Sequence, residues 1–209
     1  MILLAIDTAA GLCAASVHDT ASAERGREVR DLGKGHAEHL MAVIDTALAR
    51  ARLAYAELDA IAVSVGPGSF TGVRVGVATA RGLALALKVP AVGVSTLEAL
   101  AGEARAKNPG RPVFARIDAG RGQVYLAGFS ATGETIFAPA ALSLDEAETM
   151  VREASVVDGR TADIAVYARL GAERLAAGGA MPAPKPLYLR DADAKPQTAF
   201  VLPRREERP

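Results

Sequence analysis

The stretch of this sequence with most chemical content is Gly66-Pro67-Gly68-Ser69-Phe70-Thr71-Gly72. It follows a short apolar segment, 60–65, and opens the helical pattern of 71–87. A strand, a glycine turn and a helix start in that order leave backbone N–H groups unpaired beside the positive end of the helix dipole, which can hold an anion. Gly66, Gly68, Ser69, Thr71 and Gly72 are therefore candidate phosphate or nucleotide contacts. The run is not a Walker A loop, because Val73-Arg74 follows Gly72 where Gly-Lys-Ser/Thr would be needed. The same residues also make an ordinary tight turn, with Pro67 stiffening it and Ser69 or Thr71 capping the helix. Both readings stand at this level.

Asp7-Thr8 and Asp118 each end an apolar segment. A carboxylate at a strand end can orient a magnesium-bound phosphate, and it can equally anchor a turn. His36 and His39 lie three apart at a helix start, a spacing metal ligands use, but no third ligand is near and His18 is the only other histidine. An exposed first turn facing a partner is the expected role of that pair. Cys13, between Leu12 and Ala14, reads as a small core residue. Gly72, Gly76, Ala80 and Ala84 recur every fourth position, a stripe that lets another helix come close, with Arg74 and Arg81 seven apart at its edge.

The elements that must hold these groups follow from periodicity. Strands are expected at 2–7, 12–18 and 25–30, then a helix at 36–53 whose Leu40, Val43, Ile44, Ala47, Leu48 and Ala51 share one face. A strand at 60–65, the helix 71–87, a strand at 91–94 and a helix at 95–106 complete a first half; Ser95 and Glu98 form a capping box. The second half repeats the order: strands at 113–118, 123–129 and 135–139, a helix from Ser143 to about 153, a strand at 155–158 and a helix at 162–177. From Met181 onward the chain is Pro-rich; a further strand is expected at 187–190 and a loose tail after 196. Ile6-Asp7-x-x-x-Gly11 and Ile117-Asp118-x-x-x-Gly122 echo one another. Together these features predict two related α/β lobes facing across a cleft: 1–106, then a smaller 107–195, then the tail 196–209.

Composition narrows the function classes. The 209 residues carry 24 basic and 24 acidic groups, a net charge of zero, with 50% hydrophobic and 4% aromatic content. A packed core is therefore expected, and a chain that grips nucleic acid or a membrane surface by bulk charge is not. Neither half departs from this: 1–100 holds 9 basic and 10 acidic groups, leaving 15 and 14 for 101–209. One cysteine excludes an internal disulfide and any Cys-based zinc cluster. The first six residues are too short for a signal peptide, and 71–87 contains two arginines and three glycines, so the expected compartment is the cytoplasm, with no membrane.

Several strings together resemble the bacterial TsaB (YeaZ) family. They are Met1-Ile2-Leu3-Leu4-Ala5-Ile6-Asp7-Thr8, Gly35-His36-Ala37-Glu38-His39-Leu40, Gly66 to Arg74 with Gly82-Leu83-Ala84, and Gly93 to Leu100. Ile117-Asp118-Ala119-Gly120-Arg121-Gly122-Gln123-Val124-Tyr125 and Leu187-Tyr188-Leu189-Arg190 complete the set, in order across nearly the whole chain. The resemblance implies two ribonuclease-H-like lobes of the actin/Hsp70/sugar-kinase type. It also implies a part in making N6-threonylcarbamoyladenosine at position 37 of tRNAs that read codons starting with A. In that family the transfer belongs to TsaD; TsaB is its non-catalytic partner, TsaE joins the pair, and tRNA is met only through the complex. A homodimer is implied when the protein is alone. No cofactor of its own is implied, though a nucleotide such as ATP or ADP at the partner interface is.

TsaD-type relatives carry a metal-binding histidine pair spaced i, i+4, and the matching positions here are Thr96 and Leu100. Neither replaces imidazole. The expected docking face is then His36, His39, Leu40, Val43, Ile44 and Ala47 of the first helix with Arg74, Val77 and Arg81 of the second. On that reading Val43→Glu weakens the complex and leaves the monomer folded. The competing class is an enzyme: an ATPase using Asp7, the Gly66–Gly72 loop and Asp118, or a metalloprotease, for which the three histidines supply no zinc site.

Overall fold

The computed structural model describes residues 1–152, 154–179 and 181–190. The first sheet contains β1 (Ile2–Asp7), β2 (Leu12–Asp19), β3 (Ala23–Asp31), β4 (Ala60–Ser64) and β5 (Ala91–Val94) in the spatial order β3-β2-β1-β4-β5. β1 runs antiparallel to β2 and parallel to β4, and β4 runs parallel to β5. The second sheet contains β6 (Val113–Gly120), β7 (Gln123–Phe129), β8 (Thr135–Ser143) and β9 (Ser155–Asp158) in the order β8-β7-β6-β9. That is the first pattern again without its fifth strand, and β6 likewise runs antiparallel to β7 and parallel to β9. This is the ribonuclease-H-like topology of the actin/Hsp70/sugar-kinase architecture, with the second lobe the smaller.

The helices are α1 (His36–Ala51), α2 (Phe70–Leu87), α3 (Thr96–Lys107), α4 (Leu144–Met150) and α5 (Ile164–Ala177). Strand alternation decides what each helix covers. In β1, Leu4 and Ile6 face α1 and α2, whereas Leu3 and Ala5 face the other side. That other side is a layer shared between the sheets. There Leu97 and Leu100 of α3 and Ile164, Tyr167 and Leu170 of α5 meet Val92 and Val94 of the first sheet and Val113, Ala115 and Ile117 of the second. α4 closes the far face of the second sheet over Val124 and Leu126. β1 is thus buried on both faces, which is why it reads as one unbroken apolar run.

Two expectations change here. Leu187 to Arg190 is not a strand. Leu187 donates one backbone N–H to the Val65 carbonyl at 2.8 Å, but Pro184 and Pro186 have no N–H with which to extend a ladder. The expected tail after 196 lies outside the described residues. The second change concerns α1: Leu40, Val43, Ile44 and Ala47 point into the core against Leu4, Ile6 and Val17, with Val43, Ile44 and Ala47 fully buried. Val77 of α2 lies in the same cluster. These residues are core, not docking surface, because an amphipathic helix on a sheet spends its apolar face on that sheet.

Val43→Glu therefore places a carboxylate in a dry core. The expected cost is several kcal/mol, out of a total stability of about 5–15 kcal/mol. A circular-dichroism melt should show the monomer itself unfolding early or failing to fold, rather than a folded monomer with a weakened partner.

Candidate functional site: a closed cleft and an open helix face

The glycine loop stands at the start of α2, but its surroundings differ from those of an anion cradle. The turn after β1 lies directly on it. The Ser69 N–H donates to the Ala9 carbonyl at 2.6 Å, and Thr8 Oγ1 donates to the Gly72 carbonyl at 2.7 Å. Ser69 caps α2, its Oγ accepting from the Gly72 N–H at 3.2 Å. A Cβ on Gly68 would collide with the Ala9 carbonyl oxygen and one on Gly72 with the Thr8 carbonyl oxygen. The glycines let two backbones touch, so the close approach belongs to the protein's own chain rather than to a phosphate. Gly66 has φ 87°, its peptide bond to Pro67 is cis, and its carbonyl accepts from the Thr96 N–H at 2.8 Å. Thr71 is exposed in the first turn.

Asp7 and Asp118 do not form a pair. Asp118 is exposed at the end of β6, its Oδ1 accepting from the Gly120 N–H at 2.7 Å in an ordinary turn. Asp7 is 2% exposed. Its Oδ1 accepts from the Ala9 N–H at 2.9 Å, and its Oδ2 accepts a short hydrogen bond from Thr161 Oγ1, contributed by the loop after β9. Thr161 Oγ1 lies 3.0 Å from the hydroxyl of the fully buried Tyr167, and Ser64 Oγ lies 3.3 Å from Thr96 Oγ1 nearby. Burial pushes the Asp7 carboxyl above its ordinary range. Thr161, the Ala9 N–H, Ser64 and the charge of His36 offset only part of that. Burial, with the adjacent Asp7, likewise raises the Tyr167 hydroxyl. Side chains of both lobes thus occupy the place between the strand ends.

The other candidates separate. His36 is buried with Nε2 3.2 Å from the Leu12 carbonyl, while His39 is exposed, so the two imidazoles do not converge. Cys13 is buried, and burial pushes its thiol up to about 11 against a weaker opposing pull from Arg30, which leaves it unreactive. Thr96 is fully buried beside Ser64, and Leu100 packs in the shared layer. A hydroxyl already engaged and an isobutyl group do not fit the metal that TsaD-type relatives hold there. Among the described residues no group of three His, Cys, Asp or Glu is placed to hold a metal.

The exposed chemistry lies on α2. Gly72, Gly76, Ala80 and Ala84 are its inward stripe, with Gly72 and Gly76 against Thr8, so the small residues serve packing within the chain. Outside, the Arg74 guanidinium stacks 3.7 Å from the centroid of Phe70 and donates from Nε to the Tyr188 hydroxyl at 2.6 Å. Leu85 is 82% exposed, and Arg81 is exposed one turn before it on the same face. Thr161 and Tyr167 were not legible as site residues: Thr161-Ala162-Asp163 looks like a helix-capping run, and Asp163 does cap α5 through the Ala165 N–H at 2.8 Å. The aromatic at 188 had a signal in the Leu-Tyr-Leu-Arg string.

This arrangement defines a two-lobed protein of the kinase-like architecture whose cleft is filled from within. The profile of TsaD, tRNA N6-adenosine threonylcarbamoyltransferase, matches residues 30–189. The TsaB protein of Escherichia coli, a tRNA threonylcarbamoyladenosine biosynthesis protein, is 37% identical over 127 residues, covering 61% of this chain and 54% of that one. The Buchnera TsaB from Schizaphis graminum is 35% identical over 124 residues, 59% and 58% of the two chains. YeaZ from Pseudomonas aeruginosa superposes with a TM-score of 0.74 at 26% identity, over 90% of this chain and 99% of that structure. The chain belongs to the TsaD family, in its TsaB/YeaZ branch. It spans about half the length of the curated relatives it matches.

Two outcomes test the closed cleft. Gly72→Ala should lower stability by about 1–3 kcal/mol through overpacking against Thr8, read as a lower urea midpoint. Asp7→Asn should behave in the opposite sense near neutral pH. A carboxyl whose folded pKa is raised stabilises fully below its unfolded pKa of about 3.9 and loses that contribution as pH rises through the folded value. The amide avoids that loss, so its Tm should exceed the parent's near neutrality. The gap should close toward pH 4 or so, where the parent's carboxyl is protonated. An equal Tm gap at both pH values would remove the assignment.

Proposed function

We propose that this chain is a non-catalytic subunit of the machinery that makes N6-threonylcarbamoyladenosine at position 37 of tRNAs reading codons that start with A. It binds and activates a TsaD subunit, TsaE joins the pair, and tRNA is met through the assembly in the cytoplasm. One observation carries the reading: the metal-ligand positions of a TsaD-type subunit are Thr96 and Leu100, both committed to the interior. The family relationship supplies the pathway and the closed cleft supports the division of labour. Asp7, Thr8, Gly68, Ser69 and Gly72 contact one another's segments, where an ATPase would need them turned to a nucleotide. A nucleotide, if the assembly uses one at this subunit, belongs to the junction with the partner.

The docking face is the solvent side of α1 and α2, where Met41, Phe70, Arg74 and Leu85 are exposed, and a second copy covers it when TsaD is absent. Reconstitution with TsaD, TsaE, the threonylcarbamoyl donor, ATP and tRNA should give modified tRNA with this chain present and at least about tenfold less without it. The isolated chain should turn over neither ATP nor the donor. Steady turnover by the chain alone would replace this reading with the enzymatic one.

A further inference from the structure

After α5 the chain runs as an irregular segment, 181–190, with neither helix nor strand. Gly178 and Gly179 stand at its root with φ of 70° and 98°, a conformation other residues rarely take. Its anchors are few and lie on both lobes. Pro184 lies against Gly93 of β5, and Leu187 donates its N–H to the Val65 carbonyl at the end of β4. On α2, Tyr188 sets its ring 5.6 Å from that of Phe70 and accepts from Arg74 Nε at 2.6 Å. Two residues on, Arg190 reaches the β6–β7 turn of the second lobe. Its Nη2 donates to Gln123 Oε1 at 2.7 Å and to the Ala119 and Gly120 carbonyls at 3.2 and 3.3 Å. Leu189, between them, packs on the apolar layer that the two sheets share.

We propose that 184–190 is a strap that seats and releases as one unit, and that through it the outer face of α2 and the β6–β7 turn respond to each other. Two peptide units join Tyr188 to Arg190, a reach of about 7 Å, so neither anchor moves far without drawing the other. Proline at 182, 184 and 186 fixes φ at every second position, which stiffens the segment and lowers the entropy lost on seating. The hold itself is light. Among the described residues, the Leu187 N–H is the one backbone donor of the strap with a backbone partner. Open cavities of about 620 and 450 Å³ lie between the segment and the flank of α2, and Tyr188 is 51% exposed. A stretch with few bonds and loose packing opens far more readily than the sheets beneath it.

The far end of the strap steadies a turn that needs support. Gly120, Arg121 and Gly122 have φ of 71°, 57° and 74° in succession, a region an arginine rarely adopts. Asp118 Oδ1 accepts from the Gly120 N–H, and the Leu144 N–H donates to the Gly122 carbonyl. The turn therefore survives release of the strap but loses its bonds from Arg190. At the near end, Arg74 is shared between the Phe70 face at 3.7 Å and the Tyr188 hydroxyl. Whatever draws the Arg74 guanidinium away from Tyr188, on the outside of the first lobe, thus loosens a turn in the second. Linkage makes the effect reciprocal.

The strap is a property of the chain alone, so its test needs no partner and leaves the proposed function standing whatever the result. Hydrogen exchange is followed by NMR in the full chain. Arg74→Met keeps a long side chain against Phe70 and removes the donor to Tyr188. It should speed exchange of the Leu187 N–H, and of the amides at 120–124 in the other lobe, by about fivefold or more. Tyr188→Phe, which keeps the ring and removes the acceptor, should do the same. From the opposite end, Arg190→Gln should speed exchange of the Leu187 N–H and of the Arg74 Nε proton by a similar factor. Amides of β1 and α1 should stay within about twofold of the parent in every variant. Changes confined to the substituted residue's own end would overturn the inference. Acceleration spread evenly over the chain, β1 included, is a general loss of stability and overturns it as well.

Discussion

A buried carboxyl group is tolerated only when its oxygens are hydrogen-bonded. Asp7 meets that condition by drawing on both halves of the chain: the turn after β1 gives the Ala9 N–H, and the loop after β9 gives the Thr161 hydroxyl. The bond to Thr161 fixes where α5 begins, and α5 then packs across the first sheet with Tyr167 beneath the same cluster. Arg27 of β3 reinforces the placement from outside with two bonds to Asp163, at 2.8 and 2.6 Å. The two sheets are joined through this polar knot and the apolar layer around it.

The closure follows from what lies against the glycine loop. Strand ends and a glycine-rich helix start are in their usual places, yet the backbone of Thr8 and Ala9 covers the loop and protein side chains fill the space between the lobes. Phe70, Arg74 and Leu85 are exposed on the outer side of the first lobe, along α2.

Zero net charge takes on a local meaning in this setting. The 24 cations and 24 anions cancel over the chain but not over its surface, because α2 and the segment beside it hold cations alone.

Sequence alone determined the element order up to α5, the repeated strand and helix pattern, and the family. These rest on periodicity and on local strings such as Gly66 to Arg74, which nearest neighbours in the chain largely control. The absence of imidazole at Thr96 and Leu100 was equally plain. Which face of a helix meets water was not. The stripe Leu40, Val43, Ile44 and Ala47 has the same pattern whether it covers the chain's own sheet or a partner, and only the packing against Leu4 and Ile6 decides for the sheet. The glycines at 68 and 72 likewise signal close approach without saying what approaches. Tertiary structure supplied the answer in the Ala9 and Thr8 carbonyls, because a contact between residues some sixty positions apart leaves no mark on local periodicity.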